Sequence, residues 1–274
     1  MRAVVAEVIA APAGGEAAGR GVVRVTLRHD ARLNAMSRAM WCQLRSVFES
    51  IQRNADVRCV LIEGAGEAFC AGGDISEYPS FRFDPAQLRG FHEDEVWGGL
   101  AAMLACDVPI VARIAGACMG AGVEIASCCD IRIAEAGARF GAPIAKLGFP
   151  MAPREAALVA AAVGDTAARQ MLLEAATFGA AEMAQRGFLS RVVPAEQLEA
   201  EALASALRIA ALAPAAARMN KQTLRILQMQ NMTQTPMQQA QTAMNSVADP
   251  YAYADSAEHR EGIGAFLAKR PPVF

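Results

Sequence analysis

Residues 109–135 read PIVARIAGACMGAGVEIASCCDIRIAE, and the parsing of this stretch decides the fold. Pro109 to Ile114 is an apolar, β-branched run with the length of a buried strand. Gly116 to Gly122 is a small-residue turn with three glycines. Val123 to Ala126 opens a short buried helix, and Asp130 to Ala134 is a second strand. A strand, a glycine turn and a helix start leave backbone N–H groups pointing at whatever lies above the turn. Glu124 is the only charge between Arg113 and Asp130. Burying a carboxylate costs several kcal/mol unless it is paired or protonated, so Glu124 points to a site.

Outward from this stretch, β and α patterns alternate. Strands are expected over 2–10 and 21–28, joined by the Gly/Ala/Pro-rich link 11–20. Ser37 can cap a helix running to Asn54, with Met40, Leu44, Val47, Phe48 and Ile51 on one face. Val57 to Ile62 is a buried strand. Gly64 to Ile75, GAGEAFCAGGDI, is a glycine-rich loop at its C-terminal end, where ligands bind in parallel α/β folds. A polar and aromatic loop over 77–85 and a helix over 86–105 lead back to the central stretch. Phe140 to Met151 reads as a loop and Pro153 onward as helix, interrupted by a strand at Arg191 to Val193. After residue 195 the pattern is nearly all helix, which gives a mixed core over 1–195 and a helical region over 196–274.

With 274 residues, 54% of them hydrophobic, the chain can bury a substantial core. Its net charge of −2 without long runs of one sign argues against nucleic acid or a membrane surface as partner. The seven cysteines form no CxxC pair and lie among aliphatic residues, so reduced thiols and a cytoplasmic location are expected. The three histidines are too scattered for a metal motif. The opening MRAVVAEVIA carries Glu7 inside its apolar run and is read as strand, not signal peptide.

Six blocks in order carry a resemblance to a known family. They are Leu33-Asn34-Ala35; Ala68-Phe69-Cys70-Ala71-Gly72-Gly73-Asp74-Ile75; Pro109-Ile110-Val111-Ala112 with Gly116; Gly120-Ala121-Gly122-Val123-Glu124; Cys129-Asp130-Ile131-Arg132; and Phe140-Gly141 with Pro143. The C-terminal Glu261-Gly262, Ala265-Phe266 and Lys269-Arg270-Pro271 also fit. Over nearly its whole length the chain resembles the crotonase, or enoyl-CoA hydratase/isomerase, superfamily.

The resemblance implies an α/β fold: a spiral of ββα repeats with a C-terminal all-helical region for trimerisation and active-site cover. It implies homotrimers or dimers of trimers, an acyl-CoA thioester as substrate, and no cofactor beyond the coenzyme A that enters with it. In the family two backbone N–H groups hold the thioester oxygen, and by motif position they are those of Gly73 and Ala121. Enolate chemistry builds charge on that oxygen, and one fixed donor is typically worth about 3–4 kcal/mol. Glu124 takes the position of the acid/base. Ala35, Ala71, Gly72, Asp74, Ile75 and Gly120 flank the same motifs as substrate- or CoA-binding positions. Arg32 and Lys269 are placed by the resemblance near the CoA, Lys269 on a neighbouring subunit. Asp74 is also read as fixing its loop, and Cys70 as packing.

The chain departs from the family at one position. Hydratases of this family flank a water with two glutamates, and the second position here is Ile144. An apolar neighbour should leave Glu124 less solvated and push its pKa up. Glu155 admits two readings: a carboxylate suited to the first turn of a helix, or a replacement acid/base. His92, with Glu93, Asp94 and Glu95, reads as a solvated helix face or as part of the acyl pocket. The functions left open are hydration by Glu124 with or without such a partner; isomerisation, decarboxylation or thioester hydrolysis through the same enolate; and CoA-ligand binding with little catalysis.

Overall fold

The computed structural model describes residues 2–9, 21–230 and 256–274. Strand β1 (Arg2–Ile9) and β2 (Gly21–His29) are the two strands expected on either side of the link, and they pair antiparallel. The link 11–20 lies outside the described residues. β3 (Val57–Gly64) and β4 (Ile110–Ile114) extend the sheet in parallel. Further strands continue it in the order β1-β2-β3-β4-β6-β9, where β6 is Ile131–Glu135 and β9 is Arg191–Val193. The central strands read as unbroken apolar runs because both faces are covered. Val60, Ile62, Ile110, Ala112 and Ile114 point into the larger core layer. Cys59, Leu61 and Val111 point into a second layer on the other face.

Helix α1 (Arg38–Arg53) begins where its cap predicts. Ser37 is the N-cap, and the Met40 N–H donates to its Oγ at 3.3 Å. Met40, Leu44, Phe48 and Ile51 are buried along one stripe.

Three local features differ from the sequence reading. First, the expected helix over 86–105 is in three pieces: α2 (Pro85–Gly90), a π-helical turn over Phe91–Val96, and α3 (Trp97–Ala105). The wider i→i+5 turn cannot be read from a 3.6-residue period. Second, the turn over 116–122 contains the three-residue strand β5 (Ala117–Met119), and the loop over 140–151 opens on the three-residue strand β7 (Arg139–Gly141). With β8 (Thr177–Gly179) they form a second, small sheet. Strands this short carry no legible alternation. Third, the first helix beyond residue 195, Leu198–Ala210, does not stand apart. Its Leu198, Ala202 and Ala206 pack onto Val22, Cys59, Leu61 and Val111 and form the second core layer.

Helix α4 (Ala121–Ser127) starts at the end of the small sheet. Its N-terminal residues are buried against the 68–72 segment, which runs alongside 115–119. The Phe69 N–H donates to the Ala115 oxygen at 2.7 Å, the Cys70 N–H to Ala117 at 2.9 Å, and the Met119 N–H to Cys70 at 2.8 Å. This pairing brings the two glycine-rich loops of the sequence together.

Candidate active site

Gly72 and Gly120 face each other where the two loops meet. Both have positive φ, +121° and +48°, and a Cβ on Gly120 would lie 3.7 Å from the Gly72 Cα. Glycine is needed there because the backbone is left-handed and the loops approach closely. The residue after each glycine supplies an N–H. Those of Gly73 and Ala121 enter no backbone hydrogen bond among the described residues. Their neighbours are committed: the Asp74 N–H to the Met36 oxygen and the Gly120 N–H to the Gly141 oxygen, both at 2.8 Å. Gly73 and Ala121 both line one cavity of about 260 Å³, with Ala71, Gly72, Gly120 and Glu124 on the same side.

Glu124 lies one turn into α4, its N–H bonded to the Gly120 oxygen at 3.1 Å. It is 9% exposed, toward the cavity. Burial, and then the charge of Glu155, push its carboxyl up to about 8. The sequence expectation of a raised pKa from an apolar neighbour at 144 agrees in direction, and Ile144 does line the cavity. The second cause was not legible, because Glu155 is thirty-one positions away in sequence.

Glu155 is in the first turn of α5 (Pro153–Val163) and is only 2% exposed. Its side chain turns into the cavity and meets His92 from the π-helical turn, with Nδ1 to Oε1 at 3.2 Å. Glu155 does stand in the first turn of a helix, as one of its two readings has it, and it lines the cavity as well. Arg154 turns away and lies over the Trp97 ring, 5.6 Å from its centre. The acidic run after His92 divides in the same way. Glu93 pairs with Arg89 at the surface and Glu95 with Arg38, while His92 points inward. The π turn also presents Phe91 and Val96 to the cavity.

The far wall is aromatic. Tyr78, Phe149 and Phe91 meet edge to face, and the Tyr78 hydroxyl lies where a Gly73 side chain would be, 2.2 Å from a Cβ built there. Arg82 lines the same wall. Tyr78, Arg82 and Phe149 were missed in the sequence. Tyr78 and Arg82 had as signal only the polar and aromatic character of the 77–85 loop, and Phe149 only its place in the 140–151 loop.

The remaining sequence candidates are placed as follows. Ile75 and Ile144 line the cavity. Asp74 does not. It is buried, N-caps the 3-10 turn Ile75–Ser80, and accepts from the Ser76 N–H at 3.1 Å and hydroxyl at 2.6 Å. Burial would raise its pKa, but the two Ser76 bonds hold the carboxyl below its ordinary value. Ala35 is buried behind the site, its carbonyl oxygen 2.7 Å from the His29 Nδ1. Arg32 and Lys269 are exposed and do not line the cavity of their own chain. Burial pushes the Cys70 thiol up to about 12, which makes it an inert packing group. No described residue beyond Glu155 lines the cavity, so the described part of the helical region over 196–274 does not cover it.

Gly73 and Ala121, whose N–H groups enter no backbone hydrogen bond among the described residues, thus line one cavity together with the buried carboxyl of Glu124. The sequence profile of the enoyl-CoA hydratase/isomerase family matches residues 17–274. The chain belongs to that family. A probable enoyl-CoA hydratase of Mycobacterium bovis is 31% identical over 91% of this chain and 93% of its own length. The mitochondrial enoyl-CoA hydratase domain-containing protein 3 of mouse is 30% identical over 97% and 88%. Among solved structures, an enoyl-CoA hydratase/carnithine racemase from Magnetospirillum magneticum superposes with a TM-score of 0.83 at 35% identity, covering 93% of this chain and 92% of the other. The α/β crotonase fold and membership of an enzymatic family of acyl-CoA chemistry are therefore shown. In this chain the second cavity carboxyl comes from α5, while Ile144 fills the position after Pro143.

Proposed function

We propose that this enoyl-CoA hydratase/isomerase family protein hydrates a 2-enoyl-CoA with Glu124 and Glu155 as its acid/base pair. One observation carries the reading: two carboxyls from different helices line one cavity, close enough for the charge of Glu155 to raise Glu124. The thioester oxygen accepts from the Gly73 and Ala121 N–H groups. Glu155, oriented by His92 Nδ1, holds the water and takes its proton as the oxygen adds to the β-carbon. The double-bond electrons move onto the thioester oxygen as an enolate. Glu124, neutral at pH 7 with a pKa of about 8, delivers a proton to the α-carbon as the enolate collapses. The proton on Glu155 returns to Glu124 through solvent at the end of the cycle.

Isomerisation is the second reading, favoured by the apolar Ile144 beside Glu124. It needs one carboxyl, which removes a proton at one carbon and returns it at another. The test is loss of the enoyl-thioester absorbance of crotonyl-CoA with purified protein. Hydration predicts rapid loss that falls by about 100- to 10,000-fold in both Glu124→Gln and Glu155→Gln. No loss in the wild type, with 3-enoyl-CoA converted instead, overturns hydration in favour of isomerisation. We also propose that the chain works as a homotrimer, in keeping with the apolar side chains exposed on its C-terminal helices, Leu224, Ile263 and Leu267.

A further inference from the structure

Arg82 is the one guanidinium lining the cavity among the described residues. Its Cζ lies 3.7 Å from the centre of the Phe149 ring and 4.6 Å from that of Tyr78. Stacking holds the group flat but occupies none of its five N–H donors. Its Nη1 is buried and has no hydrogen-bond partner among the described residues. Neither Glu124 nor Glu155 pairs with it, although both line the same cavity. Arg82 is half-buried, and desolvating even part of a guanidinium without a carboxylate has a cost that a methionine bridging the two rings would avoid. Desolvation lowers the Arg82 pKa, which is consistent with a charge that lacks a partner.

The position of Arg82 is informative about what could supply one. The Tyr78 hydroxyl touches the Gly73 backbone, while Arg82 stacks against the same ring. The thioester-oxygen donor and the free guanidinium are therefore separated by about one tyrosine side chain. A short acyl chain held by its carbonyl at Gly73 would bring its far end to Arg82. The charge of Glu155 already disfavours another negative charge in the cavity. A cation placed there is intelligible if it receives one, because a guanidinium fork matches a carboxylate in two parallel hydrogen bonds.

We propose that Arg82 binds a carboxylate at the far end of the acyl group, and that the preferred substrates are CoA half-thioesters of short dicarboxylic acids. The proposal rests on the acyl-CoA reading of the same cavity, but it does not depend on which enolate reaction follows.

Saturated thioesters test it apart from turnover, since they have no double bond to hydrate. Calorimetric titration of the full-length protein would compare butyryl-CoA with glutaryl-CoA, and valeryl-CoA with adipyl-CoA. Within each pair the ligands differ only by a terminal carboxylate in place of a hydrogen. The wild type is expected to bind the carboxylated member of at least one pair about 10- to 100-fold more tightly, the usual range for a charged hydrogen bond. Arg82→Met is expected to bring that ratio within about threefold of unity, and Arg82→Gln serves if the methionine variant does not fold. Equal binding within both pairs overturns the proposal, as does a preference that survives loss of Arg82. Crotonyl-CoA hydration without any carboxylate preference would remove this inference and leave the hydratase reading. Arg82-dependent glutaryl-CoA binding without hydration of crotonyl-CoA or glutaconyl-CoA would do the reverse.

Discussion

Glu124 is held in a place where its charged form is disfavoured, and this has a consequence for stability. Its folded pKa of about 8 lies above the ordinary 4.5, so the native state binds more protons than the unfolded chain between these values. Ionising Glu124 therefore costs stability progressively from about pH 5 to about pH 8, and the full cost persists above. At about 1.4 kcal/mol per pH unit the penalty reaches at most about 5 kcal/mol. Glu124→Gln removes it. The variant should melt higher than the wild type at about pH 9 and show no such gain at about pH 5, in thermal scans followed by circular dichroism. Glu155→Gln tests the electrostatic coupling directly. A buried protonated glutamate gives a carboxylic-acid carbonyl band in the infrared, which should titrate near pH 8 and be absent from Glu124→Gln. In Glu155→Gln its midpoint should move down yet stay above 4.5, because burial remains the larger cause. An unchanged midpoint would mean that the two carboxyls do not share one site. At this scale the sequence was half legible. Glu124 stood out as a lone charge in an apolar run. The contact of His92 with Glu155, across sixty-three positions, follows only from the fold that packs the π turn against α5.

At the scale of elements, the site depends on how closely α4 approaches the 70–73 segment. A Cβ on Gly122 would lie 2.5 Å from the Cys70 carbonyl oxygen and 3.1 Å from its Cβ. The backbone must shift to admit it. Gly122→Ala should cost about 1–3 kcal/mol in stability by overpacking. It should also lower kcat by about 100-fold, because a shift of about 1 Å at α4 spoils the aim of the Ala121 N–H. Thermal melting and crotonyl-CoA turnover measure the two effects, and a fall in stability alone would show that the donor tolerates displacement. Elements with strong local signals were legible: α1 through its Ser37 cap and apolar face, β3 and β4 through continuous apolar runs. The π turn, β5, β7 and β8 were not, since each is too short or too irregular for a period to emerge. The π turn brings Phe91, His92 and Val96 to the cavity, of which only His92 was read in the sequence as one of two alternatives to line it; the wall with Tyr78 and Arg82, from an irregular loop, lay beyond the sequence.

At the scale of the molecule, the sheet works as a partition. One face carries the large core with α1, α3 and α4. The other is closed by the helix Leu198–Ala210, tied further by Arg113 to Glu199 at 2.8 Å. The change of pattern near residue 195 is thus real in composition but is not an edge of the core. The helix Leu198–Ala210 completes a layer begun by earlier strands. The central claim is that hydration proceeds with a second carboxyl brought from α5 in place of one at position 144. The most direct measurement is the crotonyl-CoA hydration rate of the wild type, Glu124→Gln, Glu155→Gln and the double variant at one pH. Groups that act as one unit are strongly non-additive. The account predicts that each single variant loses about 100-fold or more and that the double variant loses little beyond the worse of the two. A Glu155→Gln variant that keeps nearly the wild-type rate while Glu124→Gln is inactive would contradict it.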